Sequence, residues 1–172
     1  MVQAPSKTIA LAEFLQLPEM KPSSEYIDGQ VIQKPMPPGK HSVIQGELVP
    51  AINGVVGPKR IVRALPELRY TFGGRSTVPD IAVFLWDRIP RDKNGEVAST
   101  FPSTPDWTIE ISPDQSQTGV TINILHCLQH GAEVGWLIDP KEQTVFIYRS
   151  KQTPEVLDEP DNILAVPSFA TE

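Results

Sequence analysis

Two stretches of the sequence decide the fold: VPDIAVFLW, residues 78–86, and WTIEIS, residues 107–112. In the first, an unbroken apolar run follows Asp80, which predicts a strand that is buried on both faces and is therefore central in a sheet. The second alternates apolar with polar residues, which is typical of a strand with two different faces. Together they predict a sheet that carries one carboxylate on each of two core strands.

Further helices and strands are predicted around these stretches, from the spacing of apolar residues and from the Asp-Gly and Gly-Gly turn pairs. They are a helix over 8–17, a hairpin over 25–32, a helix over 40–56 interrupted at Pro50, a strand over 60–72 joined to the next by Gly73-Gly74, a helix over 116–131, strands at 134–138 and 145–148, and an edge strand at 155–157. This order indicates an α/β (α+β) fold with a mixed central sheet flanked by helices, in one domain over residues 1–172. We expect the acidic tail to fray over residues 159–172.

The composition fits a protein that folds without disulfides. The 172 residues are 40% apolar, and the single Cys127 cannot form an internal disulfide. No apolar run approaches the roughly 18 residues of a membrane-spanning helix, and the first residues lack a signal-peptide pattern. We therefore expect a cytoplasmic protein that does not bind membranes.

The charge counts against a general nucleic-acid binder. The formal net charge is −6 and the pI is near 5.1, whereas proteins that release counterions from DNA carry a positive surface. Basic residues are nevertheless concentrated in the middle third of the chain, and a bound metal would offset several carboxylates. The charge weakens a nuclease hypothesis without ending it.

Asp80 and Glu110 are the residues of most chemical interest. Asp80 begins an apolar strand, where a carboxylate must be solvated, hydrogen-bonded or bound to metal. Glu110 lies in mid-strand, a position that its propensity disfavours. If the two strands are neighbours, both carboxylates can bind one hard cation such as Mg²⁺. The competing interpretation places Asp80 at a solvated turn and Glu110 on a solvent face.

Several segments together resemble a known family over most of the chain. They are VPD at 78–80, IEISP at 109–113, EYIDG at 25–29, Lys40-His41 before the long helix, and GWLIDP at 135–140. In this combination the chain is similar to the Uma-two family of restriction-endonuclease-like proteins, which belong to the PD-(D/E)XK nuclease superfamily.

The resemblance implies a restriction-endonuclease-like fold and cleavage of DNA with Mg²⁺ or Mn²⁺. Asp80 and Glu110 would hold the metal, the backbone carbonyl of Ile111 would complete its coordination, and Glu25 would be an additional acid. In that chemistry the metal generates hydroxide and neutralises charge on the scissile phosphate. The resemblance also implies a homodimer, because such nucleases commonly pair two sites across a duplex.

The chain departs from the superfamily pattern at its lysine. Ser112 occupies the position two residues after Glu110, and Asn123 occupies the helix position at which many relatives carry a substitute lysine. Asparagine can position a water by hydrogen bonding but supplies no charge. Lys40, Lys59 and Arg69 are candidate replacements for the cation, and the sequence does not select among them.

Other polar residues have two interpretations each. His41, at the start of a helix, is a candidate phosphate contact or proton carrier, or a helix-start polar residue. Gln115 could reach the same site from the next helix start, although capping of that helix is a simpler explanation for the segment around it. His126 and His130 share a helix face, but no third ligand is placed by spacing, which favours solvated surface histidines over a metal pair.

Two functions therefore compete. The first is a metal-dependent DNA endonuclease in which Asp80, Glu110, Glu25 and Asn123 carry the chemistry while His41, Lys40 and Gln115 bind substrate. The second is a catalytically inactive protein of the same fold that acts as a dimeric protein-interaction module, which Asn123 and the acidic pI favour.

Overall fold

The computed structural model describes residues 8–112, 117–159 and 166–171. The helices and strands are, in chain order, α1 (Leu11–Phe14), β1 (Ser24–Ile27), β2 (Gln30–Gln33), α2 (Gly39–Val56), β3 (Val62–Pro66), β4 (Tyr70–Phe72), β5 (Arg75–Thr77), β6 (Ile81–Leu85), β7 (Trp107–Ile111), α3 (Thr118–Gln129), β8 (Val134–Asp139), β9 (Thr144–Arg149) and β10 (Glu155–Leu157). None of these helices combines the length and hydropathy that crossing a membrane requires.

The strands form two sheets. The larger has the order β10-β9-β8-β7-β6-β3, and the smaller has the order β2-β1-β5-β4. In the larger sheet β7 and β8 are parallel, because α3 connects them as a crossover, whereas the other neighbours are antiparallel. The predicted fold class, a mixed sheet flanked by helices, is confirmed.

The larger sheet is covered on both faces. Ile81 and Val83 of β6 join the core beneath α2, while Ala82 and Phe84 join the core beneath α3. All four side chains are fully buried. The period-two alternation of a strand explains this division, and the unbroken apolar run of β6 is required because neither face meets water.

The predicted hairpin at 25–32 is confirmed as β1 and β2. Its turn residues Asp28 and Gly29 have φ angles of 51° and 86°, the left-handed conformations that a two-residue hairpin turn requires. The hairpin lies in the smaller sheet, where β1 pairs with β5. The N-terminal segment is therefore attached next to the start of β6.

Three predicted elements differ from the structure. The strand expected over 60–72 is divided between the two sheets at Glu67, which has a φ of 47° and donates its N–H to the carbonyl of Asp80. The helix expected over 8–17 is a single turn, α1. Helix α2 continues through Pro50. Proline cannot donate to the carbonyl of Gly46 one turn earlier, and the helix tolerates this because both Gly46 and Pro50 are exposed to solvent.

The tail was expected to fray from residue 159. Residues 160–165 and 172 lie outside the described residues, as does Ser116, the expected start of α3. Within 166–171 a short 3-10 turn places Ala170, which is fully buried, in the core with Val62 and Val83.

Candidate active site

Asp80 lies immediately before β6 and is only 4% exposed, so it does not face solvent. Its Oδ1 is 3.1 Å from Nζ of Lys34. Its Oδ2 is 3.1 Å from Nε2 of His41 and accepts the backbone N–H of Ile111 at 2.7 Å. Burial alone would raise the pKa of Asp80, but the hydrogen bond from His41 and the charge of Lys34 hold that pKa below its usual value. Asp80 is therefore a buried carboxylate whose ionised form is stabilised.

Glu110 lies on the neighbouring strand β7 and is 1% exposed. The register that pairs Ile81 with Ile109 brings Glu110 alongside Asp80. Burial and the nearby charge of Asp80 raise the pKa of Glu110 well above its usual value, against the opposing effect of Lys34. Its Oε2 is buried and has no hydrogen-bond partner among the described residues. A buried acceptor in this state is available to a proton or a cation.

Glu25 and Asn123 complete this group. Glu25, on β1, accepts the backbone N–H of Val78 at 2.8 Å through Oε1 and the side-chain amide of Asn123 at 3.3 Å through Oε2. Asn123 lies on the buried side of α3, and its Oδ1 has no partner within the described ranges. We call Glu25, Asp80 and Glu110 the acidic cluster, with Asn123 at its border. Hairpin, sheet and helix each contribute one part of it.

Lys34 is the cation of this site, and sequence reasoning did not find it. Its ammonium donates to the carbonyl of Val78 at 2.7 Å as well as to Asp80. Burial would lower the pKa of Lys34, but the charges of Glu110, Asp80 and Glu25 raise it above the usual lysine value. No spacing in the sequence links position 34 to position 80, because their proximity depends on how the hairpin docks on the large sheet.

The three cations proposed from the sequence lie elsewhere. Arg69 forms an ion pair with Glu19 and donates to the carbonyl of Ser24. Lys59 is exposed in a 3-10 turn after α2, and Lys40 lines a separate cavity beside Asp139. In the part of the chain that the structure describes, none of them forms a hydrogen bond or an ion pair with the acidic cluster.

The remaining predicted site residues divide in two. His41, at the start of α2, is buried against Asp80, and Gln45 one turn later donates to the backbone carbonyl of Asp80 at 2.7 Å. Helix α2 thus fixes the position of Asp80 from both its carboxylate and its backbone. Gln115 lies outside the described residues.

A cavity of about 450 Å³ opens onto this group. Lys34, His41, Asp80 and Ile111 lie on its wall, together with a mostly apolar lining from the segment around Pro37. The cavity therefore exposes one edge of the buried cluster to a molecule that enters from solvent.

The donor set fits a hard cation held by few protein ligands. Carboxylate oxygens of Asp80 and Glu110 and the amide oxygen of Asn123 are the type that Mg²⁺ prefers, and Mg²⁺ typically needs only one or two carboxylates with several waters. In the described parts of the chain, no three His, Cys, Asp or Glu side chains are already arranged around a metal position. The residues fit an open site that metal and substrate complete, rather than a preformed cage.

The sequence favoured a solvated surface pair for the two histidines of α3, and this holds for His130, which is exposed, but not for His126. His126 is 7% exposed and stacks on Phe72 with ring centroids 5.1 Å apart. Its Nε2 lies 3.3 Å from the carbonyl of Phe72, while Nδ1 of His130 lies 2.8 Å from the carbonyl of His126. We call Phe72, Gly73, His126 and His130 the histidine cluster. Its contacts with Phe72 show that it packs α3 against the β4–β5 hairpin.

The mixed sheet with two buried carboxylates on adjacent strands defines the class, a restriction-endonuclease-like nuclease fold. The family model described as "Putative restriction endonuclease", Uma2, matches residues 11–172, and the chain belongs to this family, written Uma-two above. The chain is also similar to the crystal structure of a "putative nuclease" from Anabaena variabilis ATCC 29413. The two share 67% sequence identity and a TM-score of 0.91, covering 94% of this chain and 91% of that one. Among curated proteins, none matches this chain. These likenesses support a nuclease function.

Proposed function

We propose that the protein is a metal-dependent endonuclease that hydrolyses phosphodiester bonds in DNA. The observation that carries the proposal is the buried pair Asp80 and Glu110, which adjacent strands bring together. Asp80 lies on the wall of a cavity, and one Glu110 oxygen is unsatisfied among the described residues. A structural role alone would leave that burial unexplained, since an unpaired buried carboxylate oxygen destabilises the fold.

In this proposal Asp80, Glu110 and the carbonyl of Ile111 would hold Mg²⁺ or Mn²⁺. The metal, when bound, lowers the pKa of a water and neutralises charge on the phosphate. His41 and Ile111 orient the Asp80 carboxylate through its hydrogen bonds, so that Asp80 is preorganised for a cation. Glu25 holds the amide of Asn123, which leaves the Asn123 oxygen free to position a water.

Substrate contacts are proposed for His41, Lys40 and Gln115. His41 lies on the cavity wall and reaches a phosphate at the cluster, whereas Lys40 lies on a neighbouring cavity and would contact the DNA backbone farther along. These contacts are few, which agrees with the net charge of −6 and predicts a weak salt dependence of DNA binding.

The test compares the wild type with Asp80→Asn by calorimetric titration of Mn²⁺, with and without duplex DNA, and by plasmid cleavage in Mg²⁺. We expect Asp80→Asn to weaken Mn²⁺ binding at least about ten-fold and to slow cleavage about a hundred-fold or more. Asp158→Asn, an exposed aspartate far along the chain, is the matched control. Equal metal affinity and equal cleavage in wild type and Asp80→Asn would overturn the proposal.

The inactive interaction module remains a second candidate, because neither Ser112 nor Asn123 supplies the expected positive charge. It predicts a folded protein that shows no site-dependent Mn²⁺ binding, whether or not duplex DNA is present. Loss of binding in Asp80→Asn would exclude it.

A homodimer is compatible with either function, and strand β2 supports it. β2 is an edge of the smaller sheet, its four residues Gln30–Gln33 are exposed and uncharged, and Val31 and Ile32 are 43% and 46% exposed. An exposed apolar edge without charge is one that proteins usually cover. Paired antiparallel with a second copy, Val31 would lie opposite the partner's Ile32 and Gln30 opposite the partner's Gln33, so that the strand is self-complementary.

Sedimentation should show a dimer that Val31→Lys weakens and that Val156→Lys, on the exposed edge strand β10, leaves intact.

A further inference from the structure

Lys34 lies beside the carboxylate that the proposed divalent cation would bind. Its ammonium is 3.1 Å from Oδ1 of Asp80, and it lines the same cavity as His41 and Ile111. Of its three N–H groups, two are directed at Asp80 and the carbonyl of Val78, and the third makes no hydrogen bond to a described residue. The side chain is one-fifth exposed, on the cavity side of the cluster.

The charge balance of the site depends on this one lysine. Glu25, Asp80 and Glu110 all act on Lys34 electrostatically. Among the described residues, His41 is the other basic side chain with a nitrogen close to the Asp80 carboxylate. A divalent metal on Asp80 would be within a few ångströms of the ammonium, and two cations that close repel strongly in a buried site. Metal and ammonium therefore compete for Oδ1 of Asp80.

Lys34 is also able to move. It follows the end of β2, and its ammonium is anchored by two hydrogen bonds at the end of a flexible four-carbon stem. An ammonium released from Asp80 stays within the cavity, next to the place where a phosphate would lie.

We propose that Lys34 is the resident cation of the acidic cluster, that it leaves Asp80 when a divalent metal binds, and that it then supplies the positive charge absent at Ser112 and Asn123. The second half of this inference rests on the proposed nuclease function. The first half, competition between ammonium and metal, stands on the contacts alone.

The experiment measures the Mn²⁺ affinity of the full-length protein without DNA. Lys34→Met removes the competing charge, and we expect Mn²⁺ to bind at least about ten-fold more tightly than in the wild type. Lys34→Arg retains the charge and should bind Mn²⁺ as the wild type does. Lys151→Met makes the same charge change on a remote exposed turn and should change nothing.

Lys34→Gln is a second variant, in case the methionine variant fails to fold, and thermal melting verifies the fold of each protein. Unchanged Mn²⁺ affinity in a folded Lys34→Met or Lys34→Gln would overturn the inference, including the case in which neither the wild type nor the variant binds Mn²⁺.

Plasmid cleavage tests the role of Lys34 toward substrate separately from its competition with the metal. Lys34→Met should bind Mn²⁺ more tightly yet cleave plasmid DNA about a hundred-fold more slowly, and Lys34→Arg should recover part of the rate. Tighter metal binding with wild-type cleavage would overturn the role of Lys34 toward substrate. Tighter metal binding in a protein whose wild type cleaves nothing would leave the competition established and refute the nuclease function instead.

Discussion

The acidic cluster and the histidine cluster are both groups of titratable side chains packed against α3, yet their polar atoms are treated differently. In the histidine cluster the hydrogen-bonded ring nitrogens reach backbone carbonyls, and the His126 ring stacks on Phe72. In the acidic cluster, Oε2 of Glu110 and Oδ1 of Asn123 are buried without a partner among the described residues. The fold thus supplies hydrogen-bond partners to ring nitrogens of the histidine cluster but leaves two buried oxygens at the acidic cluster without one.

This difference distinguishes a group of side chains that packs the fold from a group that is available to bind a ligand. Unsatisfied buried polar atoms cost free energy and are uncommon in folded proteins, so the two at the acidic cluster support the proposal that a ligand binds there. The histidine cluster has no buried side-chain polar atom without a partner among the described residues, and its rings pack closely on Gly73. Two histidines four residues apart superficially resemble a metal pair in the sequence, but no third ligand is placed by spacing, and His126 is buried against Phe72.

The largest expected effect is on cleavage. Asp80→Asn and Glu110→Gln should each reduce the rate of plasmid cleavage by about a hundred-fold or more, because each removes a charge that the metal and the developing phosphate charge require. His126→Gln and His130→Gln should stay within about two-fold of the wild type, since they change packing alone. A histidine variant that loses cleavage while retaining its melting temperature would contradict the separation of the two clusters.

A smaller effect is expected at the turn of the histidine cluster. Gly73 has a φ of 58°, and a Cβ there would contact the imidazole of His130 and lie 2.8 Å from the His126 ring. Gly73→Ala should lower the free energy of unfolding by about 2 kcal/mol, about half of it from the left-handed backbone. Gly95→Ala is the matched control, because Gly95 has a φ of 80° but no atom within 4 Å of its Cβ position. If urea denaturation gave the same loss of unfolding free energy for Gly73→Ala and Gly95→Ala, the histidine rings would move aside at no energetic cost.

The sequence predicted the large sheet well because its information is local. The apolar run of β6, the alternation of β7 and the Asp28-Gly29 turn each specify a strand or turn through neighbouring residues. The division of the expected strand 60–72 between two sheets was missed, because it depends on Glu67 and on the tertiary hydrogen bond from its N–H to Asp80. A change of sheet leaves no periodic signal.

The site was predictable only in part for the same reason. Asp80 and Glu110 stand out as charges in apolar strands, and Glu25 and Asn123 followed from the family resemblance. Lys34 and Gln45 reach Asp80 across 46 and 35 positions in sequence, by contacts between elements that no local pattern encodes. Lysine in a proline-rich connection looks like an ordinary surface residue until the hairpin is docked.

A third prediction concerns the stability of the metal-free protein. Glu110→Gln keeps the shape of the side chain while removing the desolvated carboxylate and its repulsion with Asp80, so the free energy of unfolding should rise by about 1 kcal/mol. His126→Gln should lower it by a similar amount through loss of the stacking on Phe72. Denaturation in chelator, which removes any bound metal, gives both values. A loss of stability in Glu110→Gln would mean that Glu110 is a net structural partner of Lys34.

The smallest expected effect is a pH dependence that belongs to the histidine cluster. Burial lowers the pKa of His126 below the usual value of 6.5, and its hydrogen bond to Phe72 opposes this with a smaller upward effect. The charged or titratable groups that act on His126 are His130, Arg75 and Asp28. Because the unfolded state takes up this proton first, the stabilising contribution is complete above about pH 6.5 and is lost as the pH falls through the lower folded-state pKa. The melting temperature of the wild type should therefore fall more steeply between about pH 6.5 and 5 than that of His126→Gln. The groups outside the histidine cluster are the same in both proteins and cancel in the difference between the two curves. Parallel curves would therefore show that His126 is as accessible to protons in the folded chain as in the unfolded one.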